Sequence, residues 1–465
     1  MAGIGFELNK LLKKNSFLMD IVSIFYSANV SAGPWIMCSL TLFLLIVLLP
    51  RNETLFFTSA VVYSFIFSTL LFGGVSISVT RCLADLMYKK EFSKMYELYS
   101  STVLYAVLSS GVFLTIFSLI SWIDDWFKLL LFSYSLIVLT VVWVQTIFVT
   151  TMMVFTPVLV GFTVGNVLGL MLSVQLFKIK GENFAYLGYN FGLMFILFFL
   201  HVFVKRYLYT GAKSKRSLIF WRAIRTFKAQ TITGVLTYLA AWVDDFVAWI
   251  YIGKPIVNGF VFAPSYDVPM FLSYLFIIPT LTLFVLSLET NFYLKYRMFY
   301  QSLEENRTIK YVKINKRILD DNISSTTKTI FAVQFAFVLL GLTLSGYIGR
   351  IVQFDEYSLK ALRFGILGAA ANGAFLYVSL LAYYFDLAEI PMRSAMIAFV
   401  TNLVVSLLYL RTFPALGFLV GFSLATLYGW VSFKRVYRDL LRFEFIRREI
   451  GIAARQVIVH ENVEK

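Results

Sequence analysis

Apolar residues in this chain fall into long runs broken by short polar interruptions. Windows about as long as the roughly 20 residues needed to cross a bilayer core lie at 17–49, 54–80, 98–121, 129–152, 156–177, 183–204, 229–252, 268–290, 329–350, 359–385, 391–410 and 413–433. They predict an all-α membrane protein of about twelve transmembrane helices. The fourth and fifth windows are the closest pair, separated only by Thr150 to Pro157. Ahead of the first, residues 1–16 read as an amphipathic surface helix. Ile4, Leu8, Leu11 and Leu12 share one face, with Lys10, Lys13 and Lys14 near its end. The apolar run that follows is far longer than the 7–15 residues of a signal-peptide core, so this is not a secretory signal.

Six windows precede the basic segment 205–228 and six follow it, which predicts two six-helix lobes, 17–204 and 229–433, joined by a cytoplasmic linker. No residue-level repeat relates the halves. An even number of spans puts both termini on one side. Of the 41 Lys and Arg residues, nine lie on the opposite side: Arg51, Lys128, Lys178, Lys180, Lys254, Arg350, Lys360, Arg363 and Arg411. The other 32 share the side of the termini, which the positive-inside rule makes cytoplasmic. This predicts both termini in the cytoplasm, with a basic cytoplasmic tail over 434–465.

The same distribution explains the net charge of +15. Basic loops beside spans most simply anchor on anionic lipid headgroups rather than nucleic acid; the alternative is recruitment of a specific acidic partner. The cytoplasmic loop 291–328 adds periodic apolar residues, Phe299, Tyr300 and Leu303, then Tyr311, Ile314 and Ile318. These predict one or two surface-lying helices, either a docking platform or a membrane-hugging linker.

Composition narrows the chemistry. Hydrophobic residues make up 59% and charged residues 14%, against about a quarter charged in soluble domains. That excludes a soluble enzyme. Two cysteines, Cys38 and Cys82, and two distant histidines, His201 and His460, leave no legible thiolate, zinc or haem site. No nucleotide-binding glycine motif occurs. The expectation is a non-enzyme without a cofactor.

The most informative residues are Asp244 and Asp245, in AAWVDDFVAWIYIG. At 1.5 Å per residue they sit about 22 Å from the cytoplasmic end of the seventh span. One aspartate at mid-membrane costs about 2.5–3.5 kcal/mol on insertion scales, so the pair should face the bundle or a wet cavity. Trp242, Phe246 and Trp249 form an aromatic stripe beside them. Aromatic faces and carboxylates suit a sugar-conducting path; the competing reading packs the rings against lipid or the neighbouring lobe while an acid pairs or reaches the outer interface.

Candidate helix breaks lie at Gly33-Pro34, inside an apolar run too long for one straight span, and at Pro279 in the eighth span. Each either exposes carbonyls along a path or is filled by neighbouring polar side chains. Gly161, Gly165 and Gly169, like Gly417 and Gly421, recur every four residues and predict close helix packing. Gln145, Asn166, Asn190, Gln334, Asn372 and Asn402 are lone polar residues of the kind that tie helices together.

The opening MAGIGFEL, SAGPW at 31–35, the stretch Tyr266–Tyr300 and LAYYFD at 381–386 resemble the PelG family of Pel exopolysaccharide transporters. The likeness runs across essentially the whole chain. It implies the fold of the multidrug/oligosaccharidyl-lipid/polysaccharide exporter superfamily and passage of a galactosamine- and N-acetylgalactosamine-rich polymer across the cytoplasmic membrane for a biofilm matrix. It also implies partners: a Pel glycosyltransferase and small Pel membrane subunits, one of them sensing cyclic di-GMP. The chain departs from the family at Asp245, where members carry a basic residue after the Trp-x-Asp read here as Trp242-Val243-Asp244, so the resemblance speaks for Asp244.

Other readings of the same pattern are a flippase for lipid-linked oligosaccharide or a cation-coupled drug antiporter on this fold. More distant are a membrane-embedded glycosyl- or acyltransferase and a scaffold for a polysaccharide synthase. Cargo separates the transporters from one another, and the absence of a long hydrophilic segment weighs against the transferase.

Overall fold

The structure is a computed structural model that describes residues 33–34, 37–50, 53–121, 125–152, 155–208, 218–257, 259–287 and 292–446. The predicted surface helix 1–16 lies outside the described residues, as do 209–217 of the linker and 447–465 of the tail. Gly33 and Pro34 are both helical, Gly33 buried, but 1–32 and 35–36 beside them are not described.

The first lobe comprises α1 (Met37–Leu48), α2 (Leu55–Tyr88), α3 (Phe92–Ser121), α4 (Trp126–Thr151), α5 (Thr156–Lys180) and α6 (Glu182–Leu208). The short α7 (Ile219–Thr226) belongs to the linker. The second lobe holds α8 (Lys228–Ile252), the strands β1 (Lys254–Val257) and β2 (Phe260–Phe262), α9 (Pro264–Ser273), a 3-10 turn (Tyr274–Ile277) and α10 (Ile278–Ser287). It continues with α11 (Tyr293–Glu304), α12 (Ile309–Val352), α13 (Glu356–Tyr384), α14 (Glu389–Tyr409) and α15 (Leu416–Arg438). Among the described residues, eleven helical segments are long and apolar enough to span a membrane, counting α9 to α10 as one; α1 is a shorter apolar helix.

Many hydroxyls inside these spans are answered locally. In α2 the hydroxyls of Ser59, Ser64, Ser68, Thr69 and Ser76 donate to carbonyls three or four residues back. This lets a serine-rich helix sit in hydrocarbon without unpaired groups. Gly181, at φ 73°, ends α5 and turns the chain directly into α6.

The glycine stripe on α5 packs closely, as the spacing predicts. A methyl group added at Gly165 would run into Ile196 and lie 2.9 Å from the Gly192 carbonyl oxygen, and one at Gly169 would lie 3.4 Å from the Gly192 Cα. One at Gly161 would lie 3.0 Å from the Phe199 ring. The matching glycines on α6, Gly188 and Gly192, let the backbones meet. Gly417 and Gly421 on α15 approach Asn402 of α14 in the same way.

One expectation needs correction, and two further features are decided by the structure. Tyr311, Ile314 and Ile318 do not lie on a separate surface helix: α12 is one 44-residue helix whose polar first half continues into the ninth span. Among the described residues of that loop, α11 is the separate helix. Lys254–Val257 and Phe260–Phe262 pair antiparallel as a hairpin at the outer surface, where no strand was expected. Near Pro279, where open and filled readings stood side by side, Gln334 of α12 donates to the Phe276 carbonyl at 2.8 Å and accepts from the Thr280 hydroxyl at 2.7 Å. The Phe276 carbonyl is therefore not left open to a path.

Overpacking a close contact costs about 1–3 kcal/mol. Gly165→Val is expected to lower thermal stability in detergent by that amount, while Gly111→Ala, with no neighbour within 4 Å, leaves it unchanged or raises it by up to about 1 kcal/mol. Equal melting of the two variants would contradict the α5–α6 contact.

Candidate functional site

Helix α8 presents two different faces. Trp242, Phe246 and Trp249, at three- and four-residue spacing, share one side, and that side meets α2 of the first lobe. Trp249 stacks on Tyr63 with ring centroids 4.4 Å apart and planes 13° apart. Phe246 stacks on Phe67 at 6.0 Å, and the Trp242 indole N–H donates to the Thr69 hydroxyl at 3.1 Å. Toward the cytoplasm the seam continues through Ser78 and Thr231, whose hydroxyls lie 2.5 Å apart. There Gly234 lies against the Gly73 and Gly74 carbonyls. The aromatic stripe is thus the contact between the lobes in this conformation, the competing reading of the pattern.

Asp244 points the other way, into the second lobe. It is fully buried. The Tyr266 hydroxyl, from the first turn of α9, donates to Oδ2 at 2.5 Å, and Asn402 Nδ2, from α14, donates to Oδ1 at 2.9 Å. The same Asn402 amide reaches the Ala240 carbonyl at 2.8 Å, and its Oδ1 accepts from Ser406 at 2.9 Å. Three helices are therefore tied through one carboxylate. Asp245 is also buried, 3% exposed, and its Oδ2 has no hydrogen-bond partner among the described residues.

The expectation of a wet cavity around these acids is not met in this conformation. A crevice between α1, α2 and the start of α9, bordered by Leu42, Val62, Phe262, Asp267 and Phe271, has a volume of about 10 Å³, room for about one water. Neither Asp244 nor Asp245 borders it.

The sequence reading missed the third acid. Asp267, 4% exposed, accepts from the Trp249 indole at 3.0 and 3.2 Å and from the Ala263 N–H at 2.9 Å. Starting the eighth span at 268 left this residue in a loop. Tyr274, whose hydroxyl donates to the Ala241 carbonyl and whose ring lies 5.3 Å from Trp242, was also missed. Asn402 is the interhelical tie its isolation in an apolar run suggested. Among the described residues no three His, Cys, Asp or Glu side chains are grouped to hold a metal ion.

Removing one donor from a buried carboxylate costs about 1–3 kcal/mol. Tyr266→Phe is expected to lower stability by that amount, with Asn402→Ala similar or worse because two acceptors lose their donor. Thermal unfolding in detergent measures both, and a Tyr266→Phe variant as stable as the parent would remove this tie.

Solved structures place the architecture. The chain is similar to an outward-facing multidrug resistance MATE family transporter of the MOP superfamily, with TM-score 0.62 and 12% identity over 90% of this chain and 96% of that one. The inward-facing conformation of such a transporter gives 0.56 and 9% over 90% and 95%. A Vibrio cholerae MATE transporter gives 0.60 and 11% over 90% and 98%. At these identities the likeness establishes the fold alone: two bundles facing one another. No curated protein sequence matches the chain. Over residues 1–445 it matches the family described as "PelG: Putative exopolysaccharide Exporter (EPS-E)". The chain therefore belongs to the PelG family, as a multi-pass membrane transporter for a polysaccharide-type substrate.

Proposed function

We propose that this protein passes the Pel polymer, rich in galactosamine and N-acetylgalactosamine, across the bacterial cytoplasmic membrane along the seam between its lobes. The observation that carries this reading is the seam itself. Tyr63, Phe67, Trp242, Phe246 and Trp249 press together where the lobes meet, so parting the lobes bares a line of aromatic faces. Such rings stack on the C–H faces of sugars, and their indole and phenol groups offer hydrogen bonds to hydroxyls. The partners in this reading are a Pel glycosyltransferase, which feeds the growing chain from the cytoplasm, and the small Pel membrane subunits. The basic cytoplasmic loops hold anionic lipid headgroups.

In this reading Asp244 does not touch sugar in the closed state, because Tyr266 and Asn402 occupy its oxygens. It acts on the lobe's conformation. Proton uptake turns a carboxylate oxygen from acceptor to donor, which sets it against the Tyr266 or Asn402 donor and loosens α8 from α9 or α14. Asp245, with one oxygen unpartnered among the described residues, is the neighbour that exchanges protons with it.

Asp244→Asn is expected to reduce polymer secretion about tenfold, equivalent to about 1.4 kcal/mol in the rate-limiting step, with membrane insertion and helix content unchanged. The measurement is polymer entry into liposomes carrying the synthase and this protein, with a radiolabelled sugar donor, with and without a proton gradient. Export by Asp244→Asn at the parental rate under both conditions would remove the residue from the mechanism. Uptake of polymer by liposomes lacking this protein would refute the transport assignment itself.

A further inference from the structure

The outer hairpin bridges the two lobes. It has almost no slack: Gly253 alone joins it to α8, and Ala263 alone joins it to α9. It must therefore move with the second lobe. Its tip nevertheless lies in the first. Phe260 is fully buried there, edge-on to Phe56 at 5.2 Å, Phe117 at 5.4 Å and Phe132 at 5.1 Å. Gly259, at φ 85°, lies against Ser121 at the outer end of α3, where a side chain has no room. The Tyr63 hydroxyl donates to the Val261 carbonyl at 2.8 Å and accepts from the Val261 N–H at 2.9 Å.

A two-stranded hairpin this short has no stability of its own, so its position is set by what grips it. The first lobe grips it through the phenylalanine socket and Tyr63. The second lobe grips it through Asp267, which accepts from the Ala263 N–H at the hairpin's base and from the Trp249 indole. That indole is the ring stacked on Tyr63. Asp267 thus fixes both the base of the hairpin and the ring behind its socket.

We propose that the β1–β2 hairpin is the outer gate of the transport path, latched by Phe260 in the first lobe, and that Asp267 is the positioning residue that holds the latch in register. The lobes cannot part at the outer surface until Phe260 leaves its socket and Tyr63 releases Val261. The proposal rests on the two-lobe transport reading and adds to it a named barrier and the carboxylate that aims it.

The test uses the full-length protein in lipid nanodiscs, with Cys38 and Cys82 replaced by alanine. Nitroxide labels are placed at Trp126→Cys, exposed at the outer end of the first lobe, and at Lys254→Cys, exposed on the hairpin. Pulsed electron resonance should give one short-distance population in this background. With Asp267→Asn added, a longer-distance population of about 10% or more is expected, together with loss of polymer export in the liposome assay. Asp267→Glu should restore both the short distance and export, a rescue that a purely structural defect would not show. Tyr63→Phe keeps the ring stack and removes only the hydroxyl, so it provides the same readout from the other lobe should Asp267→Asn fail to fold. Unchanged distances in both variants overturn the gate, whether or not export falls. Longer distances with full export overturn it as well. The distance readout needs no polymer, so a different cargo would refute the transport reading while leaving the gate standing.

Discussion

A carboxylate in hydrocarbon must find donors within the protein, because no water is there to supply them. That constraint organises the second lobe around Asp244 and Asp267, and leaves Asp245 Oδ2 as the exception without a partner among the described residues. Asp244 is held by a phenol from α9 and an amide from α14, and the amide is itself anchored on the Ala240 carbonyl and the Ser406 hydroxyl. Asp267 is held by an indole and a backbone N–H. The same rule governs the uncharged groups, as where Gln334 closes the broken segment before Pro279. The helices of this lobe cross where their polar side chains find one another, and apolar packing fills the space between.

The first lobe follows the rule at many positions with weaker groups, while Ser173 and Tyr189 keep hydroxyls with no partner among the described residues. Its interior polar contacts include hydroxyl and amide pairs: Ser64 with Ser135 at 2.8 Å, Ser135 with Tyr186, and Asn190 to the Leu131 carbonyl at 3.0 Å. Close backbone approach through the α5 and α6 glycines adds dispersion contacts that a membrane interior rewards. The two lobes differ in the polar groups they bury. The buried aspartates described here belong to the second, so in the proposed mechanism charge moves there while the first lobe serves as the surface that is gripped and released.

The spans were legible because crossing a bilayer imposes a length and an apolarity that few other structures need. Asp244 and Asp245 were legible for the converse reason, since their cost in such a span demands an explanation. What the pattern could not give was orientation. Trp242 and Asp244 are two residues apart in the sequence, yet at 100° per residue they face opposite sides of α8. The hairpin was invisible because strands of four and three residues between two spans leave no run long enough to read. Asp267 was lost by starting a helix a few residues late, and the first half of α12 was set apart from its span because polarity hid a helical continuity.

Helix α8 connects the site's two halves because it is one rigid body with unlike faces. Its carboxylate face is tied to α9 and α14, its aromatic face to α2, and its outer end runs through Gly253 into the hairpin. A change in the ties at Asp244 that lets α8 turn or tilt must shear the Trp249–Tyr63 stack. Tyr63 cannot shift without disturbing its two bonds to Val261. Asp267 sits where these motions meet, bonded to the aromatic face of α8 through Trp249 and to the hairpin base through Ala263. In the proposed reading the link from a proton inside the second lobe to a barrier at the outer surface is therefore short. It needs one helix, one stacked ring pair and one carboxylate, each already in contact with the next.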